Sequence, residues 1–450
     1  MKNKVKGAAI VLFWIMLWQL LSLFIKNNIV FASPLMVVTR LGQMAGEAKF
    51  WMSVVYSLLR IVLGFTVAFL LGYICGFIGG YSKLFRKVLS PLVVFLKSVP
   101  VASIVVLLLI CFGSGWLSVY VTFMVVFPNV YINLMEAVDK ADKDMLEMAD
   151  DFKLTYVRKW IYVIGQSAAP LLLGAVRLSV GMSFKSGVAA EVIGICNLSL
   201  GELLYRSKIY IDTAGVLAVT LVIVLLSYLC EKSIVYLLDM LIDRSMHCAR
   251  SLLANQINEP SDISINEVSI GYGDGYIIKD ISCQIKKHGL YVITGGSGVG
   301  KTTFINYLTG KLEGSHGFLY DKAPCVSMQY QEDRLIGRMS IISNLMLVRS
   351  SYNKEDIVNM LYLLLPGVDI NKKVEQCSGG MKRRVSLIRA LISSGELLVL
   401  DEPFAGLDEE NRKLAMDAIL KHKGSRTLFI TAHDTRRGDF GGFEEIAIGS

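Results

Sequence analysis

The chain has 450 residues, of which 53% are hydrophobic and 19% charged. That balance is too apolar for a soluble two-domain protein of this length and predicts a membrane-embedded portion. The net charge of +8 is laid in short runs beside apolar segments, such as Lys83, Arg86 and Lys87, or Lys153, Arg158 and Lys159; this is an anchoring pattern, and no nucleic-acid partner is expected.

The apolarity is uneven. From Met1 to about Met240 the chain is dense in Leu, Val, Ile and Phe, and it offers six spans: Gly7–Ile25, Ser57–Gly80, Val88–Phe112, Trp116–Met135, Ala168–Ile195 and Ala214–Leu238. Each has about 20 residues or more, enough to cross a hydrocarbon core of about 30 Å. The first apolar run, Ala8–Ile25, follows lysines as a signal peptide would, but no small-residue cleavage site comes after it, and a retained span is expected. Between spans one and two, a short helix from Pro34 to Ala48 is expected to lie on the membrane surface. Lys and Arg crowd the stretches before span one, between spans two and three, and between spans four and five, whereas the turn at 113–115 carries none. This places the N-terminus in the cytoplasm, and an even number of spans returns the chain there. The eight cysteines show no metal-ligand spacing and read as reduced packing residues.

The polar stretch Asp243–Asn258, just before Pro260, marks the boundary. The expected organisation is a helical transmembrane domain over 1–242, with a cytoplasmic loop at about 138–166, a linker over 243–260, and an α/β P-loop domain over 261–450. In this second half strand and helix patterns alternate. The apolar run Gly289–Thr294 leads into Gly295-Gly296-Ser297-Gly298-Val299-Gly300-Lys301-Thr302-Thr303, a complete phosphate-binding loop opening a helix over Thr302–Thr309. Such a loop turns backbone N–H groups and the positive end of a helix dipole toward phosphate oxygens. Lys301 would reach the β- and γ-phosphates of ATP, and Thr302 would hold Mg²⁺. A buried strand over Glu396–Leu400 ends in Asp401-Glu402. Asp401 suits the Mg²⁺ shell, through water, and Glu402 suits a general base that polarises the attacking water. A third strand, Thr427–Thr431, leads to His433.

Cys377-Ser378-Gly379-Gly380-Met381 narrows the class. The run resembles the signature of ATP-binding-cassette proteins, with Cys377 where Leu is usual and Met381 where Gln is usual. The resemblance implies that Ser378, Gly379 and Gly380 open a helix and bind the γ-phosphate held by another subunit. It further implies that Tyr272 stacks on adenine and that Gln331 links the γ-phosphate and Mg²⁺ to the membrane domain. Asp408, in Ala405-Gly406-Leu407-Asp408, would cross a dimer interface, and His433 would be the switch histidine at the γ-phosphate. The cassette is short on either side of these motifs, and no regulatory C-terminal domain is expected in this chain.

The membrane half carries its own resemblance. The stretch from Glu147 to Trp160 is similar to the coupling loop of binding-protein-dependent importers. Lys153 stands where that pattern has Gly, and Gly165-Gln166 where it has Leu-Pro. Ser33-Pro34, Ser57 to Arg60, Pro91, Pro100, Arg177 to Met182 and Ala190-Glu191 to Gly194 look like the nitrate, sulfonate, taurine and bicarbonate permease branch. The resemblance implies a homodimer in a prokaryotic cytoplasmic membrane, multi-pass, with the ATP-binding domain in the cytosol. Helix 147–159 would dock near Gln331. The implied partners are a second copy of the chain, an extracellular or lipid-anchored solute-binding protein, membrane lipid, and a small-molecule solute, either a small organic or inorganic anion or a vitamin precursor. An exporter half-transporter and a membrane ATPase with a sensing role are the alternatives. Exporters extend their helices far into the cytosol, and sensors carry large extracytoplasmic domains.

Lys185 falls mid-span, where members of the branch usually have an apolar residue. An ionisable group there is expensive and marks a pathway by default. At about 100° per residue it points about 80° from Arg177 and about 120° from Glu191, so neither is an intrahelical partner. Two readings stay open: Lys185 lines a route for an anionic solute, or it pairs with another helix and only stabilises packing.

Overall fold

The computed structural model describes residues 2–25, 27, 30–247, 252–253, 260–272, 275–296, 298–320, 323–350, 352–432 and 442–448. It divides into two compact units, Met1–Lys140 with Ser167–Met240, and Ala141–Gln166 with Leu241–Ser450.

The first unit is helical: α1 (Lys2–Ile25), α2 (Pro34–Ala45), α3 (Ala48–Tyr81), α4 (Lys83–Ser98), α5 (Val101–Phe112) and α6 (Leu117–Asp139). After α7 (Lys143–Asp151) and α8 (Tyr156–Arg158), which belong to the other unit, come α9 (Gly165–Gly194), α10 (Leu200–Ile209) and α11 (Thr213–His247). A π-helical stretch, Lys159–Ile164, joins α8 to α9. Among the described residues four helices are long and apolar enough to cross a membrane. They match the second, fourth, fifth and sixth expected spans in position, although α3 begins at Ala48 and α11 runs through Asp243 to His247. The expected third span is not one helix: α4 and α5 meet at 103°. Pro100 causes the break. Its ring forbids the helical region to Val99, which sits at φ −71°, ψ 129°, and Pro100 itself starts the next helix. The apolar part of α1 described, Leu12–Ile25, is shorter than a full span.

α3 packs on α6 through a stripe of small residues every four positions: Gly64, Ala68, Gly72, Gly76 and Gly80. A Cβ on Gly64 would stand 2.7 Å from the Val119 carbonyl oxygen, and one on Gly80 would stand 2.6 Å from Val138 Cβ. Small residues let the backbones approach, which is how helices gain packing in a solvent as apolar as themselves. A polar knot ties α3, α9 and α10 together. The Ser57 hydroxyl donates to Glu191 Oε2 at 2.6 Å and accepts the Leu200 N–H at 2.8 Å, so the carboxyl group is buried with a partner. Lys185 and Arg177 are exposed on α9, and neither makes an ion pair or hydrogen bond among the described residues. Among the described residues no packing salt bridge forms at Lys185.

The second unit is α/β. Its order is β1 (Leu252–Leu253), β2 (Ile263–Tyr272), β3 (Gly275–Ile285), β4 (Leu290–Thr294), α12 (Lys301–Leu308), β5 (Val326–Gln329), α13 (Ile341–Leu345), β6 (Arg349–Ser350) and α14 (Lys354–Leu364). Then follow α15 (Gly379–Ile392), β7 (Leu397–Leu400), α16 (Glu409–His422), β8 (Thr427–Ala432) and β9 (Glu444–Ala447). The central sheet is parallel, ordered β5-β7-β8-β4-β9, with β2 and β3 forming a separate antiparallel pair. β4, β7 and β8 are buried on both faces, as a parallel sheet covered by helices requires. In this sheet β7 pairs with β8 and β8 with β4, so the three motif-bearing strands end side by side at one edge. Ligands of open α/β sheets bind outside such carboxyl ends.

Candidate functional site

β4 delivers the phosphate-binding loop. Gly298 and Gly300 take φ of +80° and +107°, values that other residues rarely adopt, and a Cβ on Gly300 would meet Ile277 Cγ2 at 2.9 Å. Lys301 opens α12. Its ammonium donates to the carbonyls of Gly295 at 2.8 Å and Gly296 at 3.0 Å, so the charge is folded over the loop it would share with phosphate.

Asp401 and Glu402 follow β7. Burial pushes the Asp401 carboxyl up, offset in part by the Thr431 hydroxyl, which donates to Oδ1 at 2.6 Å. The same hydroxyl accepts the Glu402 N–H at 2.8 Å. Glu402 has φ +50°, a strained backbone for a residue with a side chain, of the kind that surrounding structure must hold in place.

A cavity of about 220 Å³ brings Gly296, Gly298, Gly300, Lys301, Thr302 and Thr303 together with Gln331 and Glu402. Gly295 and Val299 belong to the same loop, and Asp401 lies buried beside Glu402. Ile277 also lines the cavity, a contact that sequence motifs do not mark. Tyr272 does not line it. Its ring is largely exposed, and its hydroxyl accepts from Asn306 Nδ2 at 3.0 Å. Ser378, Gly379 and Gly380 lie elsewhere, exposed at the start of α15, where the Ser378 hydroxyl caps the helix by accepting the Met381 N–H. Asp408 caps α16 in the same way, through the Asn411 N–H at 2.9 Å. Ser297 and His433 lie outside the described residues.

The donor set fits a magnesium nucleotide. A hydroxyl (Thr302) and an amide (Gln331) share the cavity with the helix-opening loop, and a buried carboxylate (Asp401) sits at the adjoining strand end.

α7 packs into the same unit. Asp142 caps it, accepting the Asp144 N–H at 2.9 Å. Met145, Met148, Ala149 and Phe152 enter the hydrophobic core of the α/β unit. Asp144, Glu147 and Asp151 form an acidic stripe three and four residues apart. Arg334 meets Glu147 at 2.6 Å and Asp144 at 3.1 Å; Lys311 meets Glu147 at 2.7 Å and Asp151 at 2.6 Å. The Tyr330 hydroxyl donates to Asp151, and the Arg334 guanidinium stacks on the Tyr330 ring at 4.0 Å. Burial pushes Asp151 up and Tyr330 well up. Burial would raise Glu147 too, but its bonds from Lys311 and Arg334 hold it below its usual value.

The helix expected over 147–159 is instead Lys143–Asp151. Asp142 starts it early, and Lys153, at φ +50°, turns the chain left-handed just beyond its end. This is the position where the importer pattern has glycine.

Two arginines of α15, Arg383 and Arg389, escaped the sequence reading because no motif marks them. Arg383 is buried, and its guanidinium donates to four carbonyls: Tyr330 at 2.6 Å, Gln331 at 2.8 Å, Asp401, and Glu402 at 2.6 Å. Arg389, fully buried, donates to the carbonyls of Arg334 at 2.8 Å and Asp333 at 3.1 Å and lies 5.1 Å from the Phe152 ring centre. Burial lowers it to about 10, still charged at neutral pH. The only signal in the sequence was helical period: 383 and 389 fall among the apolar positions of α15.

Residues 278–405 match the ABC transporter family, and residues 68–244 match the binding-protein-dependent transport system inner membrane component. The aliphatic sulfonates import ATP-binding protein SsuB 1 of Paracoccus denitrificans is 31% identical over 183 residues, covering 38% of this chain and 73% of that protein. The spermidine/putrescine import ATP-binding protein PotA of Fusobacterium nucleatum is 31% identical over 195 residues, covering 39% of this chain and 52% of that protein. Among solved structures, a putative ABC transporter ATP-binding protein from Pyrococcus furiosus aligns at 24% identity and a TM-score of 0.37, over 42% of this chain and 98% of its own. The chain belongs to the ATP-binding-cassette transporter family, and it is a membrane protein that joins an importer-type permease domain and a transporter ATPase in one polypeptide.

Proposed function

We propose that two copies of this chain form an ATP-driven importer in a prokaryotic cytoplasmic membrane. The observation that carries the reading is the acidic stripe of α7 held by Lys311, Tyr330 and Arg334, directly beside Gln331 of the nucleotide cavity. A helix of the permease polypeptide gripped there can feel whether ATP is present. Magnesium, held by Thr302, Gln331 and Asp401, would neutralise phosphate charge. Lys301 and the loop N–H groups bind the phosphates, and Glu402 orients the attacking water. Ser378, Gly379 and Gly380 do not line the chain's own cavity and would serve the site of a second copy, with Asp408 crossing that interface and His433 acting as the switch at the γ-phosphate. Closing of the two cassettes would move α7, and hydrolysis would release it.

The solute is a small organic or inorganic anion or a vitamin precursor, handed over by an extracellular or lipid-anchored binding protein. The relative from Paracoccus denitrificans is named for aliphatic sulfonates, which are anions. Lys185 and Arg177 on α9, exposed and without an ion pair among the described residues, favour an anion as well, since an ionisable group within a span marks a pathway by default. The test is purification of the Glu402→Gln form with ATP from its native membrane, followed by mass spectrometry. A co-purifying secreted or lipid-anchored binding protein supports import and its ligand names the solute; repeated recovery of the chain alone, with crosslinking, counts against it.

A further inference from the structure

Arg383 occupies a position that the motifs do not explain. Ser378 caps α15, and Arg383 lies in the first turns of the same helix. From there one guanidinium spans two separate loops. One nitrogen holds the carbonyls of Tyr330 and Gln331, and the other holds those of Asp401 and Glu402. Charge-assisted bonds from a planar fork are short and directional, so they fix geometry as well as add energy. Glu402 is held from both sides, its N–H by Thr431 and its carbonyl by Arg383, and its φ of +50° needs such holding.

We propose that Arg383 is a positioning residue that makes the two ATP sites of the assembly dependent on each other. The proposal rests on the two-cassette reading above. The start of α15 faces the nucleotide of the second copy, while Arg383 on that helix grips Gln331 and Glu402 of its own site. Any tilt of α15 when Ser378, Gly379 and Gly380 engage a γ-phosphate is delivered to the amide and the carboxylate that must meet water and magnesium on the home side. Thr431 makes a useful contrast, because it holds Glu402 and Asp401 but sits on β8 and makes no hydrogen bond to α15 among the described residues.

The experiment is steady-state ATP hydrolysis by the purified full-length chain in lipid nanodiscs across a range of ATP concentrations, with nucleotide binding measured in parallel. The wild type is expected to be cooperative, with a Hill coefficient above one. Arg383→Lys keeps the charge but loses the fork. It is expected to lower kcat by about ten- to a hundredfold, the scale of a small misplacement of reacting groups, and to bring the Hill coefficient to one with nucleotide binding retained. Thr431→Val is expected to lower kcat and leave the Hill coefficient as in the wild type. A wild-type Hill coefficient of one would remove the paired-site reading and this proposal with it. Cooperativity unchanged in Arg383→Lys, lost equally in Thr431→Val, or accompanied in Arg383→Lys by loss of nucleotide binding would overturn the proposal while leaving the paired-site reading intact.

Discussion

Glu147 and Arg334 stand 2.6 Å apart, one on the helix that leaves the permease and the other three residues beyond Gln331 of the nucleotide cavity. Each has further partners of opposite sign, Lys311 for Glu147 and Asp144 for Arg334. The pair is half-buried, so it is screened less than a surface pair and works as a network.

Reversing one charge leaves the others facing a like charge. Glu147→Lys is expected to cut solute-stimulated ATP hydrolysis by about fivefold or more, corresponding to about 1 kcal/mol of coupling between contacting residues. Basal hydrolysis should change less. Adding Arg334→Glu should recover part of the loss, and a double-mutant cycle in proteoliposomes measures it. Strictly additive effects would mean that the pair carries no coupling.

The same pair sets an acid limit. The carboxyl of Glu147 lies below its usual 4.5 when folded, so its stabilisation is fully present above that value. It is lost as pH falls through the lower folded value. Asp151, pushed up by burial, works in the opposite sense: it takes its proton earlier in the same descent, which relieves the cost of its buried charge. The protection factors of the α7 amides, which divide out the intrinsic slowing of exchange in acid, are therefore expected to fall as pH drops below 4.5, and Glu147→Gln should remove that fall.

Packing of α3 on α6 gives a clean contrast between two glycines. Gly64→Ala drives a methyl to 2.7 Å from the Val119 carbonyl oxygen, and backbone cannot swing aside as a side chain can. A loss of about 1–3 kcal/mol is expected, seen as a lower unfolding temperature in detergent. Gly174→Ala, with nothing within 4 Å, should be neutral or slightly stabilising. Equal effects at both sites would argue against close α3–α6 contact.

Lys185→Met is expected to raise the KM for an anionic solute about tenfold, near the low end of the about 1.5–3 kcal/mol of a hydrogen bond to a charged group, with folding unharmed because the residue makes no ion pair or hydrogen bond among the described residues. Uptake of labelled solute into proteoliposomes measures this. Unchanged uptake and solute preference would remove Lys185 from the route.

The chemistry of the site was legible because phosphate binding tolerates few alternatives. Gly298 and Gly300 are required by backbone angle and Lys301 by charge, so the loop had to be written in these letters. The broken third span was also written, in Val99-Pro100, but its length and apolarity hid it. The stripe from Gly64 to Gly80 was hidden for another reason: a period of four in small residues is invisible to a search for apolar length. The end of α7 was misplaced because Lys153 supplies by backbone strain what a glycine would have announced. Arg383 was missed because a basic run carries no mark of which member turns inward.

The four hydrogen bonds of the Arg383 guanidinium all end on main-chain oxygens, and its ion-pair partner, Asp333 at 3.6 Å, is none of the four residues so held. Main-chain oxygens survive any substitution at the positions that carry them, so the brace does not read the side chains of Tyr330, Gln331, Asp401 or Glu402. A Glu402→Gln protein, stalled in hydrolysis, should therefore keep the working contour of both loops and serve as a faithful trap for complexes. The vulnerability is concentrated in one side chain rather than spread over four.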